Sequence, residues 1–237
     1  MTGLRLTGGR IALSDGDRAF RLEVPDFALT PGEAVALTGP SGSGKTLLLE
    51  LLGLLRAPGE GTVYMLGETD LAGLWAHGAR GAALARGRGR SFGFVPQTGG
   101  LMPFLTVAEN VALPQAVCDR RDSGWVTALL DRLGIADVAG LRPGALSIGQ
   151  RQRCAIARAL AHRPPFVIAD EPTAALDPDS ADTVLELLLE TASAQGTGLI
   201  LSSHDLPRME RFAIPRRSLT VSAEQGAVVS RLEGAPC

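Results

Sequence analysis

With 237 residues, 45% of them hydrophobic, the chain can bury a core large enough for one domain, or for a domain with an inserted subdomain, which excludes a disordered chain. A formal net charge of −2 excludes the overall basic field that nucleic-acid partners call for. The longest apolar run, "LLLELLGLL", carries Glu50 and is too short for a bilayer span.

The N-terminal stretch "MTGLRLTGGR" has no apolar segment of signal-peptide type, so a cytoplasmic chain is expected. The first strand signal is "EAVALTG", and "GPSGSGKT" follows it directly, opening the helical run "LLLELLGLL". Strand, glycine-rich turn and helix are the setting that G-x-x-x-x-G-K-[ST] needs to hold phosphates. Gly39, Pro40, Ser41, Gly42, Ser43 and Gly44 curl backbone N–H groups around the anion, the helix adds its positive end, and Thr46 offers a hydroxyl to Mg²⁺. Lys45 is the one lysine among 23 basic residues, the others all being arginine. A compact ammonium fits among β- and γ-phosphate oxygens where a planar guanidinium would not.

Further β-like runs are "GTVYMLG" from Gly61, "SFGFVPQ" from Ser91, "PFVIADE" from Pro165 and "TGLILSSHD" from Thr197. Helical patterns lie between them, so the fold expected is α/β with a largely parallel sheet. The stretch "HGARGAALARGRGR" is locally basic but has no interleaved aromatics, which suits a solvated loop or helix. From about Val107 to Ala161 strand signals vanish, and "DSGWVTALLDRLGI" is the clearest amphipathic helix of a subdomain inserted between sheet strands. "FVIADE" is an apolar strand that ends in two acids, which burial alone does not explain. Alternation gives the two acids different tasks: Asp170 is placed to hold Mg²⁺ through water, and Glu171 to polarise the water that attacks the γ-phosphate. Cys118, Cys154 and Cys237 are odd in number and widely spaced, as reduced structural thiols are.

Between these two nucleotide elements "LSIGQ" opens a helix, and with it the chain resembles the ATP-binding cassette ATPases from about Leu4 to Arg211. The resemblance implies a single domain over residues 1–237. It would have a P-loop NTPase (RecA-like) core, a small N-terminal antiparallel β portion and an inserted helical subdomain at about 98–162. ATP and Mg²⁺ are the implied ligands. In such cassettes two subunits pack head to tail, so that Ser147, Gly149 and Gln150 of one face the γ-phosphate held by Lys45 of the other. Gln97 in "FVPQ" matches the glutamine that senses Mg²⁺ and the attacking water, Asp177 in "AALD" the D-loop, and His204 in "SSHD" the switch histidine at the γ-phosphate.

The chain departs from the family pattern at two places. Ile148 stands where the signature usually has glycine, and it is expected to be the first helical residue, with the Gly149 N–H left open to phosphate. No aromatic for stacking on adenine occurs before Phe20, and Arg10 takes that role by position. With no spanning segment of its own, a transport motor of this kind implies a separate integral membrane permease and a peripheral place on the inner face of the cell membrane. The partners expected are a second copy or a paired cassette, and that permease, with no nucleic acid. "GGLMPFLTVAENVALP" and the segment from Leu146 to Pro178 are similar to ATPase subunits of the lipoprotein-release and macrolide-export type. The alternatives are a cassette regulating a cell-division or cell-wall complex, and a soluble non-transport cassette.

Overall fold

The computed structural model describes residues 3–15, 18–97, 100–224 and 227–234. Thr98 and Gly99, where the inserted subdomain was placed to begin, and Cys237 lie outside the described residues.

Five strands carry the parallel side of the fold: β3 (Ala34–Thr38), β6 (Phe92–Val95), β7 (Phe166–Ala169), β8 (Gly198–Ser202) and β9 (Arg216–Glu224). The others are β1 (Leu4–Asp15), β2 (Arg18–Leu29), β4 (Val63–Leu66), β5 (Thr69–Asp70) and β10 (Ala227–Leu232). All ten form one sheet in the order β5-β4-β1-β2-β10-β9-β3-β8-β7-β6. β3 and β8 lie side by side in parallel and are buried almost throughout, which is why they read as unbroken apolar runs rather than alternating ones. The largely parallel sheet expected is found in that half, and in the other half β10 and β2 pair in parallel while the remaining pairs are antiparallel. "GTVYMLG" forms β4, which runs antiparallel to β1, because the Gly59 N–H bonds the Arg10 carbonyl at 2.8 Å and turns the chain back onto that edge.

The described residues hold seven α-helices: α1 (Lys45–Leu52), α2 (Ala82–Ser91), α3 (Val107–Val117), α4 (Ser123–Arg132), α5 (Ile148–Leu160), α6 (Pro178–Ala194) and α7 (Leu206–Arg211). The basic stretch from His77 contains α2. Helix α1 buries Leu47, Leu48, Leu49, Leu51 and Leu52 against the sheet, each contributing about 1.5–3 kcal/mol. Helices α3, α4 and α5 lie between β6 and β7 in the chain and share a core in which Val111, Leu129 and Ile156 are buried. Helix α3 starts at a capping box in which Thr106 and Glu109 satisfy each other's backbone N–H. The buried Asn110 amide donates to the carbonyls of Met102, Leu105 and Thr106, and so fixes the turn that leads into α3. Helix α5 presses directly on β6: a Cβ added at Gly93 would lie 2.0 Å from the Ala159 carbonyl oxygen. Only glycine permits that approach, which joins the helix behind Ser147 to the strand before Gln97. Cys118 and Cys154 are free thiols, and burial pushes the Cys154 pKa up to about 11.

Candidate active site

The turn between β3 and α1 is shaped by its backbone. Gly44 has φ 86°, which a side chain would strain, and a Cβ there would stand 3.0 Å from the Phe20 ring. Lys45 folds back over the loop, its Nζ donating to the carbonyls of Gly39 at 3.0 Å and Pro40 at 3.2 Å. Ser43 Oγ is buried and has no partner among the described residues, while the Ser43 carbonyl accepts a 2.5 Å bond from buried Ser230 on β10. An unpartnered hydroxyl in a cradle of backbone N–H groups suits a phosphate oxygen as its missing acceptor.

The acidic end of β7 meets this loop. Thr46 Oγ1 donates to Asp170 Oδ2 at 2.8 Å, and Ser202 Oγ, at the end of β8, donates to Asp170 Oδ1 at 2.6 Å. Ser202 Oγ also accepts the Glu171 N–H at 2.8 Å. Glu171 has φ 44°, a left-handed conformation that costs a non-glycine residue about 1–3 kcal/mol and is a recurrent mark of functional positions. Its carboxylate Oε2 lies 3.3 Å from His204 Nδ1. The oxygen donors fit Mg²⁺: one hydroxyl and one carboxylate, already in contact, leave the remaining positions to phosphate and water, as this small hard cation prefers.

One cleft of about 870 Å³ is lined by Ser41 to Thr46, Gln97, Glu171 and His204, with Leu13 and Phe20 on the wall, and Asp170 stands behind Thr46. Phe20, not Arg10, is therefore placed against the phosphate loop. The β1–β2 register explains the correction: Leu13 pairs with Phe20 and Arg10 with Glu23, and an offset of three residues along a strand puts Arg10 on the other face of the sheet. Arg10 stays exposed near Glu23, whose carboxyl is held below its usual range chiefly by the Arg231 hydrogen bond, with the Arg10 charge a smaller contribution.

The signature residues take no part in lining this cleft. Ser147 is the N-cap of α5, its Oγ accepting the Gln150 N–H at 3.2 Å while the Gln150 side chain accepts the Ser147 N–H at 3.0 Å. Ile148 is the first helical residue and has no positive φ, as expected, and its side chain is 52% exposed. Ser147 and Ile148 are exposed at this helix start, and of the first-turn N–H groups the capping box engages that of Gln150. Asp177 caps α6 through a 3.0 Å bond from the Ser180 N–H, which holds its carboxyl below the usual range. A second, smaller cleft of about 250 Å³ joins Glu171 and His204 to Leu176 and Pro178 beside Asp177. Behind His204, Arg208 binds Asp182 of α6 at 2.8 Å and Asp205 at 2.5 Å. Sequence reasoning missed Ser202, Ser230, Leu13 and Phe20. The first two sit in apolar strands whose partners are remote in the chain, and the last two depend on register.

A phosphate loop between strand and helix, facing a carboxylate-tipped parallel strand, defines a P-loop nucleotide hydrolase. Residues 22–174 match the family described as ABC transporter, and the chain belongs to that family. Among its relatives is a lipoprotein-releasing system ATP-binding protein LolD of Xanthomonas campestris. It is 43% identical over 183 residues, which cover 76% of this chain and 74% of the relative. The protein of that name in Nitrobacter hamburgensis is 40% identical over 211 residues, 88% of this chain and 86% of the relative. Of the solved structures, the dimeric ATP-binding cassette MJ0796 in a post-hydrolysis state bound to ADP and Pi superposes with a TM-score of 0.76. It is 30% identical, with 99% of each chain covered. A further dimeric structure of that bacterial cassette gives a TM-score of 0.78 at 29% identity, covering 98% of this chain and 97% of the other. The chain is the ATP-binding and ATP-hydrolysing subunit of a membrane ABC transporter.

Proposed function

We propose that the chain works as a head-to-tail pair that closes on two ATP molecules. In that role it drives a separate integral membrane permease of the lipoprotein-release kind from the inner face of the membrane. The observation that carries the pairing is the exposed N-terminus of α5, which lies off the cleft holding Lys45; in this reading Ser147, Gly149 and Gln150 offer it to the phosphate of a partner. The dimeric relatives of known structure support it, and the lipoprotein-releasing names of the sequence relatives support the cargo class. No helix among the described residues is long and apolar enough to cross a membrane, which agrees with a permease on another chain. Exposed Phe104 (67%) and Met102, held in place by Asn110 just beyond Gln97, offer an apolar surface for a helix of that permease.

In this scheme Lys45 exchanges the carbonyls of Gly39 and Pro40 for β- and γ-phosphate oxygens, and Phe20 and Leu13 support the base. Thr46 and Asp170 would hold Mg²⁺ together with Gln97, and the bound ion would neutralise charge on the phosphate oxygens. Glu171 orients and polarises the attacking water, and His204 holds the γ-phosphate end of the cleft beside it. Because ATP completes a site shared by two subunits, it favours association by mass action, and hydrolysis releases the pair. Glu171→Gln keeps the size and most hydrogen bonding of the side chain but loses its negative charge. Light scattering of that variant with ATP and Mg²⁺ should show a dimer, and Ser147→Arg in the same background should abolish it. A monomer despite demonstrated ATP binding would refute self-pairing.

A further inference from the structure

We propose that Ser202 is a positioning residue that sets the orientation of both acids of the site at once, and through Asp170 the site's hold on Mg²⁺. This rests on the assignment of Asp170 to the metal and Glu171 to the attacking water.

Ser202 is the last residue of β8 and is fully buried. Its one hydroxyl proton goes to Asp170 Oδ1 at 2.6 Å, and its oxygen receives the Glu171 N–H at 2.8 Å. Thr46 supplies the donor for Asp170 Oδ2 at 2.8 Å. Each oxygen of Asp170 therefore has one hydroxyl donor, and a turn of the carboxylate would break both bonds. Ser202 occupies Oδ1, so Oδ2 is the oxygen kept beside Thr46, the hydroxyl of the phosphate loop. The bond to the Glu171 N–H holds that residue in its left-handed conformation, the one that carries its carboxylate to His204. The Asp170 N–H is in turn tied to the Val95 carbonyl at 2.9 Å, so three neighbouring strands, β6, β7 and β8, converge on the pair. Without the hydroxyl, the carboxylate keeps Thr46 alone and the half-buried Glu171 N–H loses its partner.

Ser202→Thr and Ser202→Val have matched volume and differ in the hydroxyl. Ser202→Ala removes the hydroxyl without adding bulk, and is read against wild type if the larger side chains disturb packing. The assay is calorimetric titration with ADP, with and without Mg²⁺, and turnover alongside. ADP affinity without metal should be the same in all the variants, which checks that the phosphate loop is intact. The tightening produced by Mg²⁺ should survive in Ser202→Thr and fall about tenfold or more in Ser202→Val and Ser202→Ala, as for the loss of a group that orients a metal ligand. Turnover should fall with it, and raised Mg²⁺ should recover it in part. Equal Mg²⁺ response and turnover in Thr, Val and Ala variants would overturn the proposal. Asp170→Asn separates the two levels. If it loses the Mg²⁺ response while the Ser202 variants keep it, the role of Ser202 alone is wrong. If Asp170→Asn keeps the response, the metal assignment is wrong and the proposal falls with it.

Discussion

Replacing Gly93 by alanine tests whether α5 is seated on β6 as tightly as the geometry states. The added Cβ would lie 2.0 Å from the Ala159 carbonyl oxygen and 2.8 Å from its carbonyl carbon, with Val167 at 3.1 Å on the far side. Both nearest atoms are helix backbone, so no rotamer change relieves the clash. Opening the contact from 2.0 Å to an ordinary C···O approach of about 3.3 Å requires α5 to move by about 1.3 Å. The cost belongs at or above the upper end of the roughly 1–3 kcal/mol typical of core overpacking. For a chain of this size that is a drop in Tm of roughly 6–12 °C. Because the same helix presents Ser147, a displacement of about 1 Å should also cut cooperative turnover by up to about a hundredfold. Gly140 is the control: a Cβ there meets nothing within 4 Å and its φ is not positive, so Gly140→Ala should shift Tm by no more than a few degrees. Thermal unfolding and ATPase assays of both variants decide the matter. A Gly93→Ala protein that melts within a degree of wild type would refute the close packing of α5 on β6.

The base contact separates Phe20 from Arg10. Phe20→Ala should weaken ATP binding about tenfold, in line with about 1–3 kcal/mol for a base on an aromatic ring, while Arg10→Ala should leave it unchanged in a calorimetric titration. The opposite ranking would return the base to the other face of the sheet. His162 supplies a pH dependence. Burial pushes its pKa below the usual 6.5, with Arg120 adding to the shift and the Nε2–H bond to the Phe92 carbonyl partly offsetting it. Between the two pKa values the unfolded chain binds a proton that the folded chain does not, so stability falls as pH drops from about 6.5 towards the folded value. His162→Gln, which can still donate to Phe92, should lose less stability between pH 7.5 and 5.5 in urea titrations, and an equal loss would exclude His162 as the source.

Local chemistry was legible where its determinants are local. "GPSGSGKT" carries its own strand and helix on either side, and a β-branched Ile148 disfavours positive φ, so it could be placed as the first helical residue from its side chain alone. The acids Asp170 and Glu171 stood out because two charges at the end of an apolar strand demand a task. What was not legible depends on register or distance. Arg10 was assigned by sequence position alone, and only the pairing of Leu13 with Phe20 shows which face of β1 turns to the loop. The small β portion at the N-terminus was expected, but β9 and β10 were not: their tips are polar and exposed, and they earn their place by pairing with β3 and β2 far away in the chain. Ser202 reads as an ordinary residue of a buried strand, because the groups it bonds are Asp170 and Glu171, more than thirty positions earlier.

The solitary lysine has a practical corollary. Every other basic side chain is a guanidinium, so the chain has a single ε-amine, and Lys45 keeps that amine folded against the carbonyls of Gly39 and Pro40 inside the nucleotide cleft. An amine-selective reagent therefore finds one side-chain amine in the molecule, where a triphosphate would shield it. The extent of that single modification, read as one mass increment on one peptide, is a direct gauge of occupancy, obtained without labels, engineered cysteines or a coupled assay.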